Sequence, residues 1–281
     1  MNDLTTIDAE HLAKLDALLG AVPESGGSGI RMNELKINSQ SEDDNDKPLP
    51  RGSFYIKGTE QTVYAEKVHF RPLSHHYQWQ HFSEETKKMV SKTRLISSFR
   101  EEARDTKGTL KCGKPPYKEI QDMPEEQREK YKEITIFRQV RGLVSYVGKT
   151  QDGTDFEISN EPVILMLKGS NYMSFEDDYL KKVKKSDKLY DFGIDLTSSR
   201  QKNGSVTWYT FNYAPNWSDK LPITKPVYDT MTHITEMIAS ENKYVDEQYT
   251  KAIRNEGDYS EAYEALSTSM DADFENDEIP F

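Results

Sequence analysis

The feature that most constrains the fold is a series of strand-like segments that begins at Ser53. The segments are rich in β-branched and aromatic residues, alternate in part between apolar and polar positions, and are bounded by Gly, Pro and Ser. Eight of them stand out: GSFYIKG, TVYAEKVHF, HHYQWQHF, VSKTRLISSF (Val90–Phe99), ITIFRQVRGLVSYVG (Ile134–Gly148), PVILMLKG (Pro162–Gly169), LYDFGIDL (Leu189–Leu196) and VTWYTFNYA (Val206–Ala214). The Asn203-Gly204 pair between the last two favours a hairpin turn. The pattern predicts a mainly β protein with helical insertions.

Helical segments interrupt and follow the strands. A short helix is predicted near Pro124–Tyr131, another from Ser174 through Lys185, and one or two after Pro226, where apolar residues recur on one face. Strands and helices in this order suggest a small β-barrel elaborated by helices. A Greek-key barrel of the OB type (oligonucleotide/oligosaccharide-binding), with long loops and a C-terminal helix, is one candidate. A general β-sandwich fits the pattern about as well.

Changes in composition divide the chain into four parts. Residues 1–24 are predicted to form an N-terminal helix and linker, because leucines at helical spacing follow a capping-box-like TTID. Residues 25–220 are predicted to form the OB-like domain, and residues 221–255 a C-terminal helical segment. Residues 256–281 contain no Lys or Arg and are predicted to be a disordered acidic tail.

Charge is unevenly distributed along the chain, which carries −11 as a whole. Residues 1–50 have four Lys and Arg against ten Asp and Glu, and residues 221–281 have four against 14. Residues 51–220 have 29 against 24. A mildly basic centre between acidic ends suggests a centre that binds a polyanion. An ordinary core with two solvating tails explains the charge equally well.

The single cysteine, Cys112, excludes an intramolecular disulfide and fits a reducing compartment. The N-terminal MNDLTTIDAEH lacks the basic and apolar regions of a signal peptide. No stretch approaches the roughly 20 apolar residues of a membrane span. We therefore expect a soluble, cytoplasmic protein that does not contact a membrane.

The basic centre interleaves aromatic and cationic residues, the two types that bind single-stranded nucleic acid. Cations follow the phosphate backbone, and flat side chains stack on unpaired bases at about 1–3 kcal/mol per base. The residues predicted to bind single-stranded DNA are Tyr64, Phe70, Tyr77, Trp79, Arg94, Arg100, Lys107, Lys111, Lys114, Phe137, Arg138, Arg141 and Trp208. The competing interpretation is that aromatic residues in strands mostly belong to the core.

Strand alternation separates stacking candidates from core candidates. On VTWYTFNYA, the three alternate residues from Tyr209 onward are all aromatic and are predicted to be core, which leaves Trp208 on the other face. On ITIFRQVRG, Phe137 and Arg141 share a face, as an aromatic ring and a cation would on a binding surface. The lysine-rich KKVKKSDK (Lys181–Lys188) is a further candidate for phosphate contacts, although lysines at a helix end also stabilise the helix dipole.

The sequence favours neither an enzyme nor a metal site. Histidines are close together in HFRPLSHHYQWQH, but the single cysteine excludes the CxxC pairs of a structural zinc site. The residues concerned are His69, His75, His76, His81 and Cys112, for which solvation or stacking is the simpler interpretation. The chain also has no phosphate-binding glycine loop, HExxH or GxSxG, so that no cofactor is expected.

The chain ends on Asp277, Glu278, Ile279, Pro280 and Phe281, with further acids upstream. This ending resembles the C-terminal tip of bacterial single-stranded DNA-binding proteins, which is a few acids followed by Ile-Pro-Phe. The layout of the remaining chain is similar to the larger single-stranded DNA-binding proteins of phages, which place a decorated OB fold before an acidic tail. The resemblance implies a non-enzymatic protein of a bacterial cell, with viral and cellular origin both open, that protects single-stranded DNA during replication, recombination or repair.

The resemblance also implies that the tip recruits other proteins, such as a polymerase, helicase, primase or nuclease. Phe281 can fill an apolar pocket while its carboxylate meets a basic residue, and Pro280 lowers the cost of ordering the peptide. Two other functions stay open: an adaptor or inhibitor that mimics the tail without binding DNA, and a metal-dependent DNA-processing enzyme. A homo-oligomer is compatible with the sequence, because the helix after Pro226 can either dimerise or cap the barrel.

Overall fold

The computed structural model describes residues 32–43 and 47–256 of the chain. The predicted helix in residues 1–24 and the predicted acidic tail with its tip, from residue 257 onward, lie outside the described residues. The described part is mainly β, with helical insertions and a long C-terminal helix, as the sequence predicts.

Nine strands and four α-helices form in the described residues. The strands are β1 (Asn33–Ile37), β2 (Phe54–Lys57), β3 (Val63–Tyr64), β4 (Lys67–Ser83), β5 (Lys88–Lys92), β6 (Ile134–Thr150), β7 (Asp155–Leu167), β8 (Ile194–Asn203) and β9 (Val206–Pro215). The α-helices are α1 (Tyr117–Asp122), α2 (Glu125–Lys132), α3 (Ser170–Asp178) and α4 (Lys225–Glu256). Single 3-10 turns occupy Lys111–Gly113, Leu180–Lys182 and Leu189–Asp191.

Several predicted strands differ from the observed ones. LYDFGIDL (Leu189–Leu196) is only partly a strand, because its first three residues form a 3-10 turn and β8 begins at Ile194. TVYAEKVHF is divided between β3 and the beginning of β4, and HHYQWQHF is not a separate strand, because β4 runs on through Pro72. The ladder between β4 and β8 ends at Phe70, so the missing N–H of Pro72 interrupts no bond to β8. The predicted strand Val90–Phe99 is regular only as far as Lys92, and beyond that point single bridges replace the ladder.

The second predicted helix is also displaced. It begins at Ser170 and ends at Asp178, so that Ser174 lies inside α3 and does not cap it. The Ser174 hydroxyl instead donates to the carbonyl oxygen of Ser170 at 2.9 Å. The residue before the helix is Gly169, whose φ of 54° is a conformation that glycine adopts readily.

The described chain divides into two compact units. The first contains residues 32–43, 47–75 and 139–232, and the second contains residues 76–138 and 233–256. The boundaries fall inside β4, β6 and α4, so each of these elements contributes residues to both units.

In the first unit, the strands form a curled sheet. β1 pairs antiparallel with β2 and parallel with β7, and β3 pairs antiparallel with β6. The strand order places β6 beside β7, and an isolated bridge from Phe54 to Ala65 links β2 to the residue after β3. The path of neighbours therefore returns to β1, which is compatible with a barrel-like fold. β8 pairs with the beginning of β4, and β9 pairs with β8 along its whole length.

The core of the first unit is one continuous apolar cluster. It includes Phe54, Phe70 and Phe175, which are fully buried, together with aliphatic residues of β1, β6, β7 and β8. Each large apolar side chain contributes about 1.5–3 kcal/mol when it is fully buried. Helix α3 also covers an edge of the sheet, since Asn171 Oδ1 accepts the backbone N–H of Phe211 in β9 at 2.9 Å.

In the second unit, α4 holds the irregular segment that follows β5. The side chain of Asn242 donates to the carbonyl of Leu95 (2.9 Å) and accepts its N–H (2.6 Å). The neighbouring Glu241 accepts bonds from Gln78 (3.0 Å) and Lys92 (2.7 Å). The apolar face predicted for this helix is buried as expected. The segment that carries most of the predicted DNA-binding cations is thus fixed by polar contacts.

Candidate nucleic-acid interface

Three aromatic rings pack together in the second unit. Tyr77 and Trp79 lie two residues apart on β4 and therefore point to the same face. The ring of Phe99 stacks on Tyr77 with the centroids 4.4 Å apart and lies edge-on to Trp79 at 5.8 Å. Tyr77 is 9% and Trp79 5% exposed, whereas Phe99 is half-buried. We call these three rings the aromatic cluster, and Phe99 is its most accessible member.

Two cations lie over rings of the aromatic cluster. Lys111 Nζ is 5.5 Å from the ring centre of Trp79, and Arg138 Cζ is 5.3 Å from that of Tyr77. Contacts of this kind contribute about 0.5–2 kcal/mol. Arg138 is buried, so its guanidinium supports the ring from inside the unit and does not face solvent. The cluster therefore combines the two residue types that the sequence singles out.

The turn that carries Phe99 and Arg100 is organised by Glu101. Its Oε1 accepts the backbone N–H of Ser97 (3.0 Å) and of Ser98 (3.1 Å), as well as the Ser97 hydroxyl (2.9 Å). These bonds fix the turn in the absence of regular secondary structure. Arg100 is exposed. The turn thus presents a solvent-facing cation directly after the accessible ring of the aromatic cluster.

The segment around these rings is strongly basic. Residues 86–118 contain ten Lys and Arg against three Asp and Glu. One of the three acids, Asp105, is fully buried and accepts the backbone N–H groups of Lys107 (2.7 Å) and Thr109 (3.2 Å). This arrangement holds the turn in which the Lys107 side chain is exposed. The buried acid has a structural role, and the exposed charge of the turn is positive.

Two of the predicted cations have structural partners within the second unit. Arg94 is half-buried, with its guanidinium 3.6 Å from the carboxylate of Asp246 in α4. Lys114 Nζ donates to the backbone carbonyl of Ile134 at 2.8 Å. Both residues are therefore less available to a phosphate than the exposed Arg100 and Lys107.

The predicted residues of the first unit are more dispersed. Phe70 is fully buried in the core, so its ring cannot stack on a base, and we leave it out of the interface. Tyr64 is half-buried beside Tyr55, with ring centres 5.8 Å apart, and burial raises the pKa of its phenol. Arg141 is buried and donates to Gln139 Oε1 at 2.8 Å.

Alternation on β9 correctly predicts which face is core. Phe211 and Tyr213 pack against the core of the first unit, whereas Trp208 is 39% exposed. Phe137, on β6 in the second unit, is half-buried. Trp208 is consequently an accessible ring outside the aromatic cluster.

Phe99 is absent from the sequence prediction, because Val90–Phe99 has the composition of a strand. Its contacts with Tyr77 and Trp79 join residues that lie about 20 positions apart in the chain, and local periodicity carries no information about them. A local signal does exist: in SSFREEAR an aromatic residue directly precedes an arginine within a charged, turn-like segment.

The histidines and the cysteine do not assemble into a metal centre. His69 Nδ1 lies 3.0 Å from Asp195, and His81 Nε2 lies 3.1 Å from Glu133. His76 is buried and His75 half-buried. Burial raises the pKa of the Cys112 thiol to about 12, with a smaller contribution from Asp105. Within the described ranges, no three His, Cys, Asp or Glu side chains come together in a way that could hold a metal ion.

Comparison with known proteins assigns the chain to no family and to no known fold. No protein-family model, curated protein or solved structure matches the chain. No α-helix in the described part of the chain is both long enough and apolar enough to cross a membrane.

Proposed function

We propose that this protein binds and protects single-stranded DNA without catalysing a reaction. The observation that supports the proposal best is the aromatic cluster of the second unit, with Lys111 and Arg138 over its rings and Arg100 exposed beside Phe99. Binding of an unpaired, negatively charged DNA strand requires exposed ring faces and positive charge close to each other.

In this proposal, a base stacks on the accessible part of Phe99, and the neighbouring phosphates contact Arg100 and Lys107. Stacking accepts any base, because every base has a π-face, so binding is largely independent of sequence. The phosphate contacts release counterions, and affinity therefore falls as salt rises. The buried Arg138 and the half-buried Lys111 have a different role, since they hold the rings in place before DNA binds.

A titration of fluorescently labelled oligo-dT tests the proposal directly. Replacing Phe99 with Ala removes about 1–3 kcal/mol of stacking, which is roughly a 5- to 150-fold loss of affinity. Arg100→Glu, as a separate variant, is also expected to weaken binding at low salt. The matched control is Lys57→Glu, which changes the charge equally at an exposed lysine of the first unit. Equal losses for Arg100→Glu and Lys57→Glu would show that binding depends only on net charge.

Gel electrophoresis of the same protein–oligonucleotide mixtures separates the proposal from its two alternatives. A tail-mimicking adaptor leaves the mobility of the oligonucleotide unchanged, and a metal-dependent enzyme shortens the oligonucleotide when magnesium is added. The proposed binder retards the oligonucleotide and leaves its length unaltered.

We further propose that the curled sheet is an OB-like barrel and that residues 277–281 recruit replication or repair proteins in a bacterial cell. The path of strand neighbours that returns to β1 supports the first part. The sequence of the tip, acids followed by Ile-Pro-Phe, supports the second. Deletion of residues 271–281 is expected to abolish capture of such partners while DNA affinity stays equal or rises, because acids compete with DNA for cations. Weaker DNA binding after deletion would contradict this account of the tail.

A further inference from the structure

Trp217, which is not among the predicted site residues, belongs to a second aromatic surface in the first unit. Its ring stacks on Tyr179 with centroids 5.3 Å apart and planes 15° apart, and Phe192 contacts it edge-on at 5.2 Å. Tyr179 and Phe192 are buried, whereas Trp217 is 37% exposed. One part of the indole is therefore held by buried rings while another part faces solvent. An exposed ring held in this way is a ready platform for a flat ligand.

A buried arginine holds the loop that carries Trp217. Arg71 donates to three backbone carbonyls, those of Tyr190 (2.9 Å), Leu221 (3.0 Å) and Pro222 (2.9 Å). Two backbone bonds strengthen the connection, from Asn216 N–H to the carbonyl of Gly193 and from Leu221 N–H to that of Asp191. The loop has no regular secondary structure, so these bonds are what fixes it. Trp217 is thus ordered before any ligand binds, which lowers the entropic cost of binding.

Lys220 connects the same loop to the lysine-rich segment Lys181–Lys188. Its Nζ lies 2.7 Å from Asp187 and 3.0 Å from Asp191. The hydrogen bond from Lys220 is the main reason that the pKa of Asp187 lies below its ordinary value. Both carboxylates are therefore occupied by an internal cation.

Two carboxylates at the end of α3 are also paired with lysines. Asp177 pairs with Lys181 at 2.8 Å and Asp178 with Lys182 at 3.4 Å, each one helical turn apart. Three further lysines of the segment are exposed: Lys184, Lys185 and Lys188. The outward charge of the segment is consequently positive. Asp219, beside Trp217, is an exposed carboxylate that opposes this charge.

We infer that Trp217 and the lysines of this segment form a second contact for single-stranded DNA. An unpaired base stacks on the exposed part of Trp217, and phosphates on either side of it contact Lys184 and Lys185. The inference rests on the proposed function and extends it, because it adds a contact in the first unit to the aromatic cluster of the second.

Photo-crosslinking of the full-length wild-type chain tests the inference without any substitution. An oligo-dT that contains 5-iodouracil crosslinks to aromatic side chains that stack on its bases. Peptide mapping by mass spectrometry is expected to find a crosslink at Trp217. Crosslinks in the second unit alone would overturn the inference and leave the proposed function intact.

Substitutions of Trp217 supply the energetic test. Trp217→Ala is expected to lower oligo-dT affinity roughly 5- to 150-fold, and Trp217→Phe to lower it less, because a smaller ring still stacks. Circular dichroism and thermal melting check that each variant is folded. Asp219→Asn removes the opposing carboxylate and is expected to raise affinity. Unchanged affinity in a folded Trp217→Ala variant would overturn the inference.

The lysines are tested through the salt dependence of binding. Each phosphate contact to single-stranded DNA contributes about 0.7 to the slope of log affinity against log salt, so Lys184→Ala with Lys185→Ala should reduce the slope by about 1.4. The matched control combines Lys57→Ala with Lys149→Ala, two exposed lysines of the same unit, and should leave the slope close to that of the wild type. Equal slopes for the two double variants would contradict the inference. Absence of any wild-type binding would overturn both this inference and the proposed function.

Discussion

Arg71 is a single side chain of β4 that donates to two separate pieces of backbone in the first unit, at Tyr190 and at Leu221–Pro222. Its guanidinium is buried, and burial lowers its pKa from an ordinary value of 12.5. An arginine has a rigid fork of five N–H donors, which allows it to satisfy several carbonyl groups at once. The charge is expensive to bury unless such bonds are made. Residue 71 therefore stabilises the fold through hydrogen bonds, and its charge is not available to DNA.

Replacing Arg71 with Met is expected to lower the free energy of unfolding by about 1–3 kcal/mol, since the carbonyl of the buried Tyr190 loses its donor. Arg71→Lys should be intermediate, because a lysine cannot reproduce the fork. Urea denaturation measures both. Arg51 is exposed, and Arg51→Met is the control with an expected change within about 0.5 kcal/mol. A similar stability for the two Met variants would contradict the role given to Arg71.

Cys112 is expected to react slowly with thiol reagents in the native protein. Its pKa is raised to about 12 by burial and by Asp105, so little of the reactive thiolate forms near neutral pH. Labelling with a disulfide reagent at pH 8 should be slow in buffer and fast in denaturant, where the pKa returns to about 8.5. The chain has one cysteine, so the signal reports on this site alone. Rapid labelling of the native protein would show that the thiol is accessible.

Asp187 is expected to give stability that depends on pH. Its pKa is lowered by the hydrogen bond from Lys220, so the carboxylate contributes fully above its ordinary pKa of 3.8. The contribution is lost as the pH falls through the lowered value. Denaturation of Asp187→Asn should show lower stability than wild type at neutral pH and a difference that vanishes well below pH 3.8. A difference that persists in acid would show that the amide acts through packing instead of charge.

Single-residue roles could be predicted where they depend on local alternation, and not where they depend on distant contacts. The two faces of β9 follow from period-two spacing, which assigns Trp208 to solvent and Phe211 to the core. The same rule cannot identify Phe70 as core, since that depends on which sheet covers it. Phe99 and Trp217 gain their positions from partners far away in the chain.

At the scale of elements, the contact between α4 and the segment after β5 depends on the side-chain amide of Asn242. Asn242 is buried and makes two bonds to the backbone of Leu95, a residue 147 positions away. Both bonds are needed, because the backbone N–H and the carbonyl of Leu95 are buried and cannot bond to water instead. The amide therefore fixes the register between the helix and the segment that leads to Phe99 and Arg100.

Asn242→Ala is expected to lower the free energy of unfolding by about 2–4 kcal/mol, because it leaves a buried donor and a buried acceptor unsatisfied. Hydrogen exchange at the Leu95 amide should accelerate as well, which a general loss of packing would not do selectively. Lys243→Ala, at an exposed neighbouring position, is the control and should have little effect. If the two variants are equally stable, the amide is not what holds the segment.

Element type was more predictable than element extent. The 3.6-residue spacing of apolar residues predicts α4, and most β-rich segments are strands. The continuity of β4 through Pro72 is not predictable, since it depends on where β8 stops pairing. The strand β1 (Asn33–Ile37) is also missing from the prediction, because NELKI is short and gains its place from pairing with β2 and β7.

At the scale of the whole molecule, the basic centre of the sequence is divided between the two units. The second unit holds the aromatic cluster and the basic segment 86–118, and the first holds Trp217 and the lysine-rich segment 181–188. Net charge, at −11, gives no indication of either surface. The division into units crosses three elements, so no change in composition along the chain marks it.

The most direct test of the account is a titration of the full-length protein with labelled oligo-dT in dilute buffer and again at higher salt. We predict saturable binding that weakens steeply with salt, and a Phe99→Ala variant that is folded but binds roughly 5- to 150-fold more weakly. Unchanged oligonucleotide mobility or anisotropy at low salt, with folded wild-type protein in excess, would contradict the central claim that this chain binds single-stranded DNA.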